Sequence, residues 1–143
     1  MASRRLHQTI DLGLAVNTAD GLFVPVLRDV AARSGDELRK SMEQLKQSVA
    51  ARTIGPQDLN GQTITLSNFG MLGGLHAQLT IAAPQVAIVG AGRVHKAVRV
   101  VVDQMQIRSM LPLSLTFDHR CVTGADAVAF LNAAKQTLES VPS

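Results

Sequence analysis

Residues 110–132 read MLPLSLTFDHRCVTGADAVAFLN, an apolar run that breaks at a histidine between an aspartate and an arginine and then resumes at a different period. The first part reads as a strand. From Gly124-Ala125-Asp126 onward, Ala127, Phe130, Leu131, Ala134 and Leu138 recur at helical intervals and predict a closing helix. His119 therefore falls at a strand-to-helix junction, where polar side chains commonly protrude into a site.

Working outward, VRVVVDQMQIRSMLPLSLTF predicts a strand, a turn at Asp103-Gln104 and a returning strand, together a long hairpin. Upstream, QVAIVGAGRV is nearly all small and apolar, as expected of a strand covered on both faces. TITLS, after Gln62, alternates as another strand and runs into Asn68-Phe69-Gly70-Met71-Leu72-Gly73-Gly74, a loop whose glycines permit tight geometry.

Nearer the start, TIDLGLAVN alternates over residues 9–17, and LFVPVL follows the turn residues Thr18-Ala19-Asp20-Gly21, so the two segments predict a hairpin. Pro25 lacks an N–H and places LFVPVL at an edge or at the end of pairing. Ser34 and Glu37 form a capping box that starts a helix, with Leu38, Met42, Leu45 and Val49 as its apolar stripe and an end near Thr53. Gln57, Asp58 and Leu59 add a short turn after Gly55-Pro56. Strands, helix, strands, hairpin and helix make an α+β layout with a mixed sheet, not a regular alternation.

The 143 residues fit one domain, and 46% hydrophobic content supplies a core. With four Phe and neither Trp nor Tyr, stacking platforms for bases are nearly absent, and the net charge of +3 comes without a dense basic run. Nucleic-acid binding is not expected; a phosphorylated small molecule or an acidic partner suits this charge better. One cysteine excludes an internal disulfide, and no Cys/His spacing suggests a metal. No stretch reaches the ~18 consecutive apolar residues of a membrane span. A cytoplasmic location is the expectation.

His119 is the leading candidate for chemistry, because imidazole titrates near neutrality. From its local context alone a general base and a structural histidine both remain open, and Asp118 and Arg120 either orient it or pair with each other. Cys121, two residues on, is weighed as a thiol nucleophile against small-residue packing; catalytic Cys/His pairs usually come from distant segments. Ser67 ends a strand at the glycine-rich loop, where its hydroxyl either donates to an oxyanion or opens the turn with Asn68.

Taken together, DLGLAVNTADGLFVPVLRD, TITLSNFGMLGG, APQVAIVGAGR and MLPLSLTFDHRCVTGADAVAFLN resemble the C-terminal part of the dihydrolipoamide acyltransferase core of 2-oxoacid dehydrogenase complexes. The resemblance implies a chloramphenicol-acetyltransferase-like mixed sheet with helices on one face, the N-terminal part of the domain having no counterpart. Residues 1–8 would then be a leader or truncated edge, and 9–143 the C-terminal portion of the catalytic domain.

It implies coenzyme A and a lipoyl group as substrates, no metal, and trimers or larger cores in which a histidine and a serine meet across a subunit boundary. Expected partners are a lipoyl domain and the decarboxylating dehydrogenase and dihydrolipoamide dehydrogenase components. His119 matches the family's base and Ser67 its oxyanion donor. Asn68, Gly70, Asp118 and Arg120 are the expected substrate-binding residues. The family motif runs DHRxxDG, so Thr123 occupies the place of a carboxylate and is counted with the catalytic set. Two readings follow: an acyltransferase for acetyl or branched-chain groups, or an inert core module that assembles without turnover.

Overall fold

The computed structural model describes residues 4–140, so the first three residues of the basic start lie outside it. Its main sheet is built outward from β1 (Leu12–Thr18), which turns back into β2 (Gly21–Phe23) and β3 (Val26–Leu27). Both pair antiparallel with β1. The hairpin is as expected, and Pro25 divides its second arm on the edge of the sheet. Lacking an N–H, Pro25 contributes only its carbonyl, which accepts from Leu14 at 2.8 Å.

A capping box opens α1 (Gly35–Ala50): the Ser34 hydroxyl accepts from the Glu37 amide, and the Glu37 carboxylate accepts from the Ser34 N–H at 2.8 Å. Val49 of its apolar stripe is buried, and the helix packs on β3. The helix stops at Ala50, short of the expected Thr53, because Arg52 turns to φ 58° and Thr53 donates back to the Ser48 carbonyl. A 3-10 turn over Pro56–Asp58 follows, as the Gly-Pro pair predicts.

β4 (Ile64–Asn68) then lies parallel to β1, and β5 (Ala87–Ala91) lies parallel to β4. The order across the sheet is β2-β1-β4-β5-β8, with β3 also on β1. β8 (Leu113–Phe117) closes it antiparallel to β5, making the sheet mixed. α2 (Gly124–Ser140) packs on β8 with Ala127 buried.

The hairpin between β5 and β8 differs from expectation in two ways. β6 (His95–Val101) and β7 (Gln104–Met110) turn at Val102-Asp103, one residue early, with both at positive φ. They also form a separate two-stranded sheet, and the returning arm breaks at Leu111-Pro112 before β8 rejoins the main one. Pro112 cannot donate, and its carbonyl accepts from Gly92 where β5 has ended.

Cross-strand pairing puts Val98 beside Ile107 and Val100 beside Met105, hence on one face of the hairpin. These four are 61%, 73%, 71% and 82% exposed, so among the described residues nothing covers that apolar face. Buried apolar side chains are few among the described residues, and two of them, Val26 and Leu27, sit beneath α1.

Candidate active site

Ser67 is the penultimate residue of β4, paired with Ala15 on one side and Gly90 on the other. Beyond it the chain enters the glycine loop through an Asx turn, in which the Asn68 side-chain oxygen accepts from the Gly70 N–H at 3.1 Å. Gly70 has no room for a side chain: a Cβ there would lie 2.5 Å from the Gly92 carbonyl oxygen. The loop is fastened to the end of β5 by Phe69 N–H to the Ala91 carbonyl and Arg93 N–H to the Gly74 carbonyl. Asn68 and Gly70, expected to bind substrate, thus shape the backbone that holds Ser67.

His119 lies on the turn between β8 and α2, exposed, with its ring centroid 5.6 Å from that of Phe117. The turn is densely hydrogen-bonded. Asp118 donates its N–H to the Val86 carbonyl, and its own carbonyl accepts from Cys121 and Val122. Its carboxylate accepts from the Arg120 N–H at 3.0 Å and from the guanidinium at 2.6 Å and 3.0 Å. Those bonds, the guanidinium's first and the backbone's second, hold the Asp118 carboxyl down at about 2. Asp118 and Arg120 therefore pair with each other. Cys121 is half-buried within this turn and donates its N–H to the Asp118 carbonyl.

Thr123 ends the turn. Its hydroxyl donates to the Asp126 carboxylate at 2.7 Å, its N–H donates to the same oxygen at 3.0 Å, and the Asp126 N–H donates back at 3.2 Å. The hydroxyl is thus engaged at the start of α2, a reciprocal cap with Asp in the place of the usual Glu. Asp126 was not among the residues singled out from the sequence, although the spacing Thr-x-x-Asp carries the same signal that located Ser34 and Glu37.

The turn and the glycine loop do not meet within one chain. Asp118 is level with Val86 and Ser67 with Gly90, four residues apart along β5. That offset is roughly 13 Å, and the two strand spacings between β4 and β8 add roughly 10 Å across the sheet. Ser67 is therefore about 16 Å from the turn carrying His119, beyond hydrogen-bond reach of its side chain. Among the described residues no group of His, Cys, Asp or Glu is placed to hold a metal ion.

Residues 2–143 match the family described as 2-oxoacid dehydrogenases acyltransferase (catalytic domain). The chain is 40% identical over 137 residues to the lipoamide acyltransferase component of the branched-chain alpha-keto acid dehydrogenase complex of Pseudomonas aeruginosa, covering 93% of this chain and 31% of that protein. The cubic core of a pyruvate dehydrogenase multienzyme complex superposes with a TM-score of 0.84 at 34% identity, over 88% of this chain and 52% of that one.

The dihydrolipoamide acetyltransferase of Azotobacter vinelandii superposes with a TM-score of 0.90 at 32% identity, over 94% of this chain and 55% of that one. The chain thus spans about a third of the curated relative and just over half of the solved ones. The Azotobacter structure belongs to an investigation of the role of one serine, one histidine and one asparagine in its catalytic mechanism. There the histidine follows the serine by 52 residues and the asparagine follows the histidine by four, the same order and intervals as Ser67, His119 and Thr123.

Proposed function

This chain belongs to the acyltransferase family of 2-oxoacid dehydrogenases, matched in its catalytic domain, and from that premise we propose that it transfers an acyl group between dihydrolipoamide and coenzyme A. His119 is the general base and Ser67 the oxyanion donor. The observation that carries this reading is the agreement in order and spacing of Ser67, His119 and Thr123 with the residues studied in the Azotobacter enzyme.

The chemistry follows from those side chains. Neutral His119 takes the proton of the coenzyme A thiol, and the thiolate attacks the carbonyl carbon of acyl-dihydrolipoamide. Negative charge moves onto the carbonyl oxygen, where the Ser67 hydroxyl donates a hydrogen bond. Collapse of the tetrahedral intermediate breaks the bond to the lipoyl sulfur, and His119 returns its proton there. The products are acyl-coenzyme A and dihydrolipoamide, with no net proton change.

The separation of about 16 Å within one chain supports a reading in which Ser67 of one copy faces His119 of another. The open apolar face of the β6–β7 hairpin, which is not paired into the main sheet, supports such an assembly. A trimer is the smallest closed ring that this proposal takes, within a larger core served by lipoyl domains and by the decarboxylating and dihydrolipoamide dehydrogenase components. The acyl group of this reading is acetyl or branched-chain, as expected from the sequence; acetyl, branched-chain and succinyl transferases all match the chain, so the relatives do not narrow it.

The rival reading, an inert assembly module, rests on the lack of a carboxylate at Thr123 and on the chain matching only part of its relatives' length. The Azotobacter enzyme has an uncharged asparagine at the same interval, so loss of charge there does not favour inertness. An acyl-exchange assay with acetyl- and isobutyryl-coenzyme A decides between them. Transfer should fall by about 10²–10⁴ in His119→Ala and by about 10²–10³ in Ser67→Ala, whereas Cys121→Ser should keep its rate. Unchanged transfer in His119→Ala would overturn the assignment of the base.

A further inference from the structure

We propose that Asp126, acting through Thr123, is a positioning residue for His119, an inference that rests on the catalytic reading above. The turn that carries His119 spans the gap between Phe117, the last residue of β8, and Gly124, the first of α2. A histidine on so short a connection is only as well placed as the backbone on either side of it. At the upstream end the Asp118 N–H is tied to Val86, the residue before β5, so that end is anchored to the sheet.

Within the turn, the N–H groups of Arg120, Cys121 and Val122 all point back at Asp118, the first to its carboxylate and the others to its carbonyl. The downstream end is secured differently. The Thr123 N–H and hydroxyl both donate to one oxygen of Asp126, and the Ala127 N–H donates to the Thr123 carbonyl. Asp126 thus joins the turn to α2, and Ala127, the next residue, is buried where α2 packs on β8.

Two carboxylates, Asp118 and Asp126, therefore hold the two ends of the same short connection. This arrangement answers what stands in for a carboxylate at position 123. A threonine there has no charge, but it recruits the carboxylate of Asp126 and gives two hydrogen bonds to it. Asp118, expected to bind substrate, serves the same purpose from the other side, since its carboxylate is occupied within the turn.

The test uses the full protein in its native assembly, with Asp126→Ala and Asp126→Glu compared by steady-state kinetics and by hydrogen exchange over residues 118–123. Glu is the usual acceptor at this place in a reciprocal cap and should rescue. Asp126→Ala should expose the turn to exchange and lower kcat on the order of ten- to a hundredfold, with KM for coenzyme A unchanged, because the base is displaced while binding is not. Asp126→Glu should restore both.

Unaltered exchange in Asp126→Ala would overturn the inference, as would faster exchange with unchanged kcat, which is the signature of a cap with only a structural role. A wild-type assembly without any transfer activity would defeat the catalytic reading itself and the inference with it. That failure is distinguishable, because it shows in the wild type before any substitution is made.

Discussion

Ser67 lies level with Gly90 in the sheet while Asp118, the neighbour of His119, lies level with Val86, so the serine and the histidine stand toward opposite ends of β5. Each end is built tightly for its own residue. The loop after Ser67 is pressed against Gly92, and the turn at His119 is hydrogen-bonded from both sides. Such local order, combined with their separation, suits two half-sites completed by a neighbouring copy.

Gly70 is expected to tolerate no side chain. A methyl group at position 70 meets the Gly92 carbonyl oxygen at 2.5 Å, and the obstructing Gly92–Arg93 peptide is backbone with little room to give. Gly70→Ala should lower stability by about 1–3 kcal/mol and displace the loop that follows Ser67. The midpoint of urea unfolding measures the first effect and the transfer rate the second; an unshifted midpoint would contradict the packing described.

The hairpin tip holds a second strained position. Val102 and Asp103 adopt φ of 49° and 58°, the pattern of a type I′ turn, which favours Asn-Gly and penalises a β-branched residue. Val102→Asn should stabilise the hairpin by about 1 kcal/mol, read as roughly fivefold slower hydrogen exchange at Val98 and Ile107. Faster exchange would show that Val102 makes a compensating contact in the assembly.

How much of this was legible in the sequence depended on how local the cause is. The Ser34–Glu37 box and the turn at Pro56 each rest on side chains acting within a few residues, and both were found. The parallel register of β1, β4 and β5 joins residues some fifty apart in places, such as Leu12 with Ile64, and alternation alone does not encode it. The tip of the hairpin was displaced by one residue because valine ordinarily signals strand. Thr123 stands out in the sequence as a departure from a family motif, while its partner Asp126 reads there only as part of the helix opening at Gly124. The separation of Ser67 from His119 within one chain follows from the register of β4, β5 and β8, which is set in the folded sheet.

Acid should loosen the His119 turn before it unfolds the sheet. The Arg120 guanidinium and N–H hold the Asp118 carboxyl at about 2, below its ordinary 3.8. A lowered carboxylate contributes stability that is present above its unfolded value and lost as pH falls through the folded one. Asp126 is lowered in the same direction, chiefly by the Thr123 hydroxyl. Hydrogen exchange at Cys121 and Thr123, corrected for its intrinsic pH dependence, should hold steady from neutrality to about pH 4 and show lost protection below it. Loss of protection above pH 5 would contradict the carboxylate clamp.

In the proposed assembly Ser67 of one copy works with His119 of another. Ser67→Ala and His119→Ala proteins, each inactive alone, should be unfolded together in equal amounts and refolded into mixed assemblies. In random mixing a site draws an intact serine from one variant and an intact histidine from the other about a quarter of the time. Recovery of about a quarter of wild-type transfer is the predicted result. No recovery from mixed assemblies of native size would contradict a site shared between copies.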